Sequence, residues 1–199
     1  MIKITNSNIK MGAIPSFSLP SGVTCSKEAC ATCYLHGCYA RKIERLRPNV
    51  LAAYQHNYQE CLNDLPFVEQ QLMHYFAEPN APRLFRIHAH GDFYSVSYFD
   101  MWLRVIRANP QVKFLAFTKQ YHMIHHALCN LPENLRLVWS AWPGVPVPPD
   151  IREKLTIAWM QDGTETRVPE TAHHCSGKCQ DCNAQCWSNL KDDVVFHKH

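Results

Sequence analysis

Apolar positions along the chain follow two rhythms. Residues 14–20, Ile14-Pro15-Ser16-Phe17-Ser18-Leu19-Pro20, alternate apolar and small polar side chains between prolines. That period of two predicts a short strand, placed at a sheet edge by its prolines. From Pro48 the period lengthens, and Val50, Ala53, Tyr54, Asn57, Tyr58 and Cys61 share one helical face behind an opening proline. A second helix is predicted from Pro66 to Phe76, with Phe67, Leu72 and Phe76 as its apolar positions.

Strand and helix then alternate. Residues 83–88 form a strand that ends at Gly91-Asp92, and Ser97 is positioned to cap a helix carrying Phe99, Trp102, Leu103, Val105 and Ile106 up to Asn109-Pro110. Val112 to Phe117 is the next strand, ending at Thr118-Lys119, and a short helix over 121–128 leads to a third at Leu135 to Trp139. A proline-rich loop (143–149), a helix to about Leu155 and a strand at 156–160 follow. Strands separated by helices of this length predict parallel βα units. About five strands are too few for an eightfold barrel of roughly 250 residues, so an incomplete (β/α) barrel or an open parallel sheet is expected, in an α/β chain with cysteine-rich loops near both termini. The expected organisation is a single domain over 1–199, with its βα core at 14–160 and a cysteine-rich segment at 175–187.

In either architecture ligands sit at the carboxyl ends of the strands. The 25–38 segment, Gly91-Asp92 and Thr118-Lys119 all fall there, so they are expected on one rim.

Composition narrows the chemistry. Hydrophobic residues make up 46% and charged residues 19% of the 199, a globular balance, and a net charge of +3 is too mild to argue for nucleic acid by itself. No apolar run reaches the roughly 18 residues of a membrane span, and Met1-Ile2-Lys3-Ile4-Thr5-Asn6 lacks the apolar core of a secretory signal. A reducing cytosol is therefore expected, where ten cysteines call for something other than disulfides.

Eight of those cysteines form two clusters: Cys25, Cys30, Cys33 and Cys38, then Cys175, Cys179, Cys182 and Cys186. Soft thiolates suit zinc and iron–sulfur clusters alike, and either quartet is sufficient for one centre. One or two [4Fe–4S] clusters are expected. Zinc is the alternative, since Cys30/Cys33 and Cys179/Cys182 are Cys-x2-Cys knuckles that would close one site together. After residue 160 no strand pattern recurs, so ordering the second cluster would fall to metal ligation. Cys61 and Cys129 lie in helical patterns and are expected in the core.

Several segments together resemble one family. They are Asn6-Ser7-Asn8 leading into 14–20, Thr24-Cys25, Cys38-Tyr39-Ala40 with Asn57 downstream, Arg86-Ile87-His88 running into Gly91-Asp92-Phe93, Phe117-Thr118-Lys119, and the final Cys-x2-Cys-x3-Cys-Trp. This set is similar to the phage-encoded gene-product eighty-eight family, which implies a phage protein working in the host cell cytosol. That family shows a cysteine four positions before its Cys-Tyr-Ala. Here Cys33 stands five before Cys38, which leaves Cys30 and Cys33 both open as the ligand.

A looser likeness is to radical S-adenosylmethionine enzymes, which place a three-cysteine loop after the first strand and a Gly-Gly-Glu-like segment after the second. Gly91-Asp92 stands in that place, and S-adenosylmethionine is the cofactor this likeness implies. Gly91, Asp92, Thr118 and Lys119 would then be cofactor-binding residues. The rival expectation is a non-catalytic zinc- or cluster-stabilised protein that binds a host or phage protein or nucleic acid, with no membrane partner.

The remaining polar residues divide between chemistry and architecture. His88 and His90 alternate onto one face of a strand end with Asp92 continuing it, which makes these three and Lys119 the catalytic candidates; hydrogen bonding within the rim would explain the same residues. Lys119 is also suited to bind a carboxylate or phosphate, or to offset a cluster's negative charge. Arg41, Lys42, Arg45 and Arg47 form a solvated face or a phosphate-binding one. His122, His125 and His126 have helical spacing at a surface. His173 or His174 is positioned to replace a cysteine ligand, and Trp187 to shield a centre from water.

Overall fold

The computed structural model describes residues 1–34, 37–187 and 192–197. It contains one eight-stranded sheet: β1 (Ile4–Thr5), β2 (Ser16–Phe17), β3 (Leu84–Ile87), β4 (Lys113–Thr118), β5 (Leu135–Ala141), β6 (Thr156–Gln161), β7 (His173–His174) and β8 (Val194–His197), in the order β1-β2-β3-β4-β5-β6-β8-β7. Only β1 runs antiparallel to its neighbour; every other pairing is parallel. The architecture is thus mixed α/β with an open, mostly parallel sheet. It is not a closed barrel.

Alternation along the strands sorts their side chains onto two faces. Phe85, Ile87, Phe114, Ala116, Leu137, Trp139, Ile157 and Trp159 enter the large core beneath the helices. Those helices are α3 (Pro48–Asn63), α4 (Leu65–Ala77) and α5 (Val96–Ala108). The start of α4 is set by Asp64, whose side chain accepts from the Phe67 amide, and its buried stripe is Val68, Leu72 and Phe76. Phe67, expected to be apolar and inward, is 48% exposed, because the cap geometry turns Val68 toward the sheet instead. Asn57 of α3 is fully buried and satisfied: Oδ1 accepts from the Lys3 amide, while Nδ2 donates to the Lys3 and Ser18 carbonyls, tying β1 and the exit of β2 to the helix.

Four further expectations are corrected. The cap of α5 is Ser95, which accepts from the Tyr98 amide, and not Ser97; the helix starts two residues earlier than its apolar spacing suggests. Residues 25–38 are not a plain loop. They hold α1 (Lys27–Ala29), capped by Ser26, a π-helical turn (Cys30–Tyr34), and the last residue before α2 (Tyr39–Leu46). Cys129 is exposed in a turn rather than buried, whereas Cys61 is in the core.

The chain also continues past β6. β8 pairs parallel with β6, Val194 and Val195 are buried, and Asp193 accepts from the Ile157 amide and from Trp159 Nε1 while pairing with Arg152. Residues 193–197, after the second cysteine cluster, are therefore held by the sheet as well. A four-residue strand paired on both sides gives too short a pattern to stand out in sequence.

Candidate metal and ligand centre

The rim expected at the carboxyl ends of β2, β3 and β4 is assembled by hydrogen bonds. Thr24 donates from Oγ1 to the Pro20 carbonyl and accepts there from the Asp92 amide, while Gln120 Nε2 donates to the Thr24 carbonyl. Asp92 is saturated: its carboxylate accepts from the Phe93 amide, from Thr118 Oγ1 at 2.7 Å and from the Lys119 amide at 2.8 Å. Burial pushes Asp92 up to about 6 against those bonds. Gly91 has φ +79°, and a side chain there would meet the Leu19 carbonyl and Thr24 Oγ1 at 2.7 Å, so its bare α-carbon lets two segments of the rim touch.

His88, His90 and Asp92 do not share a face. The strand ends at Ile87, and His88 has φ +60°, which breaks the alternation. His88 Nε2 meets Tyr98 OH at 2.8 Å on the helix side, His90 Nδ1 meets Glu44 at 3.0 Å, and Asp92 turns to β4. Burial drives His88 down to about 3, with Arg86 adding to it. Glu44, overlooked in the sequence, also accepts from the Ser21 amide and hydroxyl; burial alone would raise it, but the His90 and Ser21 bonds hold it below the usual carboxylate range. An acidic residue two positions beyond the Arg41-Lys42 pair gave no signal of a buried partner.

The first four thiols gather beside this rim. Burial pushes Cys25 up to about 12 and Asp92 adds to it, while the Gly22 amide, which donates to its sulfur at 3.4 Å, and Lys119 oppose. Cys33 is raised by burial, opposed by Lys119, and feels Cys38 and Cys30; Cys30 is raised by burial and feels Cys38. Each of these influences lies within the first quartet or its rim.

The second four lie elsewhere, over the sheet face opposite the helices. There Cys179, Cys186 and Trp187 pack with Met11, Leu115, Val138 and Ala158. The Cys179 amide donates to the Lys10 carbonyl and Trp187 Nε1 to the Phe85 carbonyl, which bind the segment across the strands. Burial pushes Cys186 up to about 11, Arg86 opposes, and Cys175, Cys182 and Cys179 add to it; Cys179 is raised by burial and by Cys182 and Cys175. The quartets therefore form two separate groups rather than closing on one point.

Beneath the second group run two cations. Register places Arg86 of β3 beside Leu115 of β4 and Leu115 beside Arg136 of β5, so all three project to the cysteine-covered face. Arg86 lies over the Phe117 ring at 4.0 Å and donates from Nε to the His88 carbonyl; Arg136 donates to Thr156. Burial lowers the pKa of both, and Cys186 opposes this at each.

Among the described residues, no three His, Cys, Asp or Glu side chains converge to hold a metal ion. Several thiols turn to nearby backbone instead: Cys30 donates to the Gly22 carbonyl, Cys33 to Ala29 and Cys182 to Cys179. The donor chemistry nevertheless fits a metal. The Arg86 guanidinium lies beneath the second group of thiols, and a tetrathiolate centre of net charge about −2 would match a cation there. His173 Nε2 is buried without a partner close to Cys175, and His174 stacks on His197. His122 and His125 are exposed, His126 pairs with Asp100, and the basic run 41–47 is exposed on α2.

Together these features define a cysteine-rich α/β protein with one thiol group at its strand ends and another across its sheet. The chain belongs to the Gene product 88 family, whose model matches residues 2–144. It is 36% identical over 146 residues to the Gene 88 protein of Mycobacterium phage L5 and, equally, to that of Mycobacterium phage D29; each alignment covers 68% of this chain and 60% of the relative. The match thus spans about 60% of the length of these relatives. No solved structure matches the chain. The family match contains the rim and the first quartet, and it ends before β6 and the second quartet. No helix among the described residues is long and apolar enough to cross a membrane.

Proposed function

We propose that this chain is an iron–sulfur protein that holds a [4Fe–4S] cluster at each cysteine quartet, the first at the strand ends and the second as a cover on the sheet. The observation that carries this reading is the grouping of Cys175, Cys179, Cys182 and Cys186 across the sheet face over the Arg86 guanidinium, a cation that suits a thiolate centre. At the first quartet the buried Cys33 is the ligand proposed over the half-buried Cys30, since a centre inside the rim reaches it with less exposure to water.

A bound cluster would supply one-electron chemistry there. The chain's own residues divide the remaining work. Lys119 offsets charge beside Cys25 and Cys33, Asp92 holds Lys119 and Thr118 in place, and Trp187 excludes water from the second quartet. A radical reaction with S-adenosylmethionine, in an incomplete-barrel setting, is the enzymatic form of this reading. It rests on the placement of the first quartet after the first parallel strand.

Anaerobic purification followed by iron, zinc and acid-labile sulfide analysis tests the proposal. Brown protein with close to eight iron and eight sulfide per chain is expected; four of each would assign one centre. Colourless protein with stoichiometric zinc and no sulfide would replace the iron reading with the structural-zinc one, in which the chain acts as a binding protein for a host or phage partner.

A further inference from the structure

Between the helical turn bearing Cys30 and Cys33 and the proline-rich loop after β5 lies a cleft of about 230 Å³. Lys119 and Ser140 line it from the ends of β4 and β5, with Ser26, Thr32 and Gln120 also on its polar side, and Trp139 and Trp142 contribute aromatic surface. Lys119 Nζ donates to Ser140 Oγ at 2.9 Å and makes no ion pair among the described residues. Two ammonium hydrogens and the serine hydroxyl hydrogen are thus left to donate. The other titratable groups of the lining are Tyr121, bonded to Asp150, and the exposed Glu28 and His122.

The aromatic wall is already set. Arg167 donates to the Trp142 and Val145 carbonyls and is itself gripped by the Glu165 carboxylate, so the loop is clamped at two points. A site held in place this way binds without first ordering its wall. A neighbouring hollow of about 400 Å³ shares Thr32 and Trp142 but has no cation among its lining residues.

The geometry points to a binding site for a small organic anion with a flat ring, its carboxylate or phosphate at Lys119 and Ser140 and its ring against Trp142. The volume lies below the roughly 300–1,000 Å³ of drug-sized pockets, so a single-ring ligand fits and a dinucleotide does not. The inference stands on the cleft alone, whether or not the thiols carry metal.

The experiment is a tryptophan-fluorescence titration of the full chain with benzoate, phenyl phosphate and neutral benzamide, with iron and zinc counted in every sample. Saturable binding is expected, with at least one anion preferred over benzamide by about tenfold or more. The benzoate-to-phenyl-phosphate ratio assigns the head group. Lys119→Met should abolish the preference, Trp142→Ala should weaken both anions, and Lys113→Met at the exposed start of β4 should change neither. Equal binding of benzamide, a preference that survives Lys119→Met in folded protein, or no saturation by any of the three compounds overturns the site. Should Lys119→Met not fold, unchanged benzoate binding by Trp142→Ala overturns it instead. Metal-loaded protein that binds no anion refutes the cleft and spares the cluster, whereas metal-free protein that binds it does the reverse.

Discussion

The two cysteine quartets are alike in sequence and opposite in setting. The first stands on a short helical turn at the edge of the sheet, beside hydrogen bonds that already join β2, β3 and β4: Thr24 to Asp92, Asp92 to Thr118, Gln120 to Thr24. Remove its sulfurs and the rim retains its own ties. The second quartet lies across a sheet face that, among the described residues, it covers together with a small apolar cluster, above Arg86 and Arg136. Remove its sulfurs and that face loses part of its cover. The same ligand type is therefore expected to serve reactivity at one place and stability at the other.

The largest effect should come from removing the second quartet. Cys179→Ser with Cys186→Ser is expected to cut metal by about half and lower stability by several kcal/mol, since structural metal sites contribute on the order of 10 kcal/mol of apparent binding energy. Cys25→Ser with Cys33→Ser should remove a similar amount of metal at a much smaller cost in Tm. Thermal unfolding beside metal analysis reads both, and the opposite order of Tm losses would invert the comparison.

Next in size is Arg86→Met. With the charge gone but the volume kept, metal affinity at the second quartet should fall by about 30-fold or more while the first quartet stays loaded, on the order of 2–5 kcal/mol for one partner of a buried charge pair. Iron per chain in Cys25→Ser/Cys33→Ser protein, with and without Arg86→Met, isolates the effect. Full retention of metal would separate the arginine row from the centre.

A third test uses His88 at the junction of strand and rim. Its folded-state pKa of about 3 lies below the unfolded value near 6.5, so the folded chain binds fewer protons. Its contribution is complete above pH 6.5 and is lost as pH falls toward 3, at up to about 1.4 kcal/mol per pH unit. His88→Asn suits the left-handed backbone there and should remove one proton's worth of that slope in urea unfolding between pH 6 and 4. An unchanged slope would place the acid sensitivity elsewhere.

The smallest effect concerns α5. Ser95→Ala should cost about 1 kcal/mol and Ser97→Ala a few tenths, because Ser95 alone accepts from the Tyr98 amide. Equal losses on chemical denaturation would return the cap to Ser97.

Much of this protein was determined by its sequence alone. The period-two runs at β3 to β6, the apolar stripes of α3 and α5, the family membership and the rim shared by 25–38, Gly91-Asp92 and Thr118-Lys119 all follow from local periodicity and from the rule that parallel strands gather their following loops at one end. Other features were decided only in three dimensions. Arg86 and Arg136 lie 50 residues apart and become neighbours of one face through strand register, a long-range pairing that no local pattern encodes. Glu44 looks like part of a charged surface helix until His90 and Ser21 arrive to bury it. The quartets share a spacing logic, yet one meets hydrogen-bonded strand ends and the other a sheet face that needs covering. Spacing sets which sulfurs can meet; their surroundings come from segments distant in the chain, brought together by burial of the sheet's two faces.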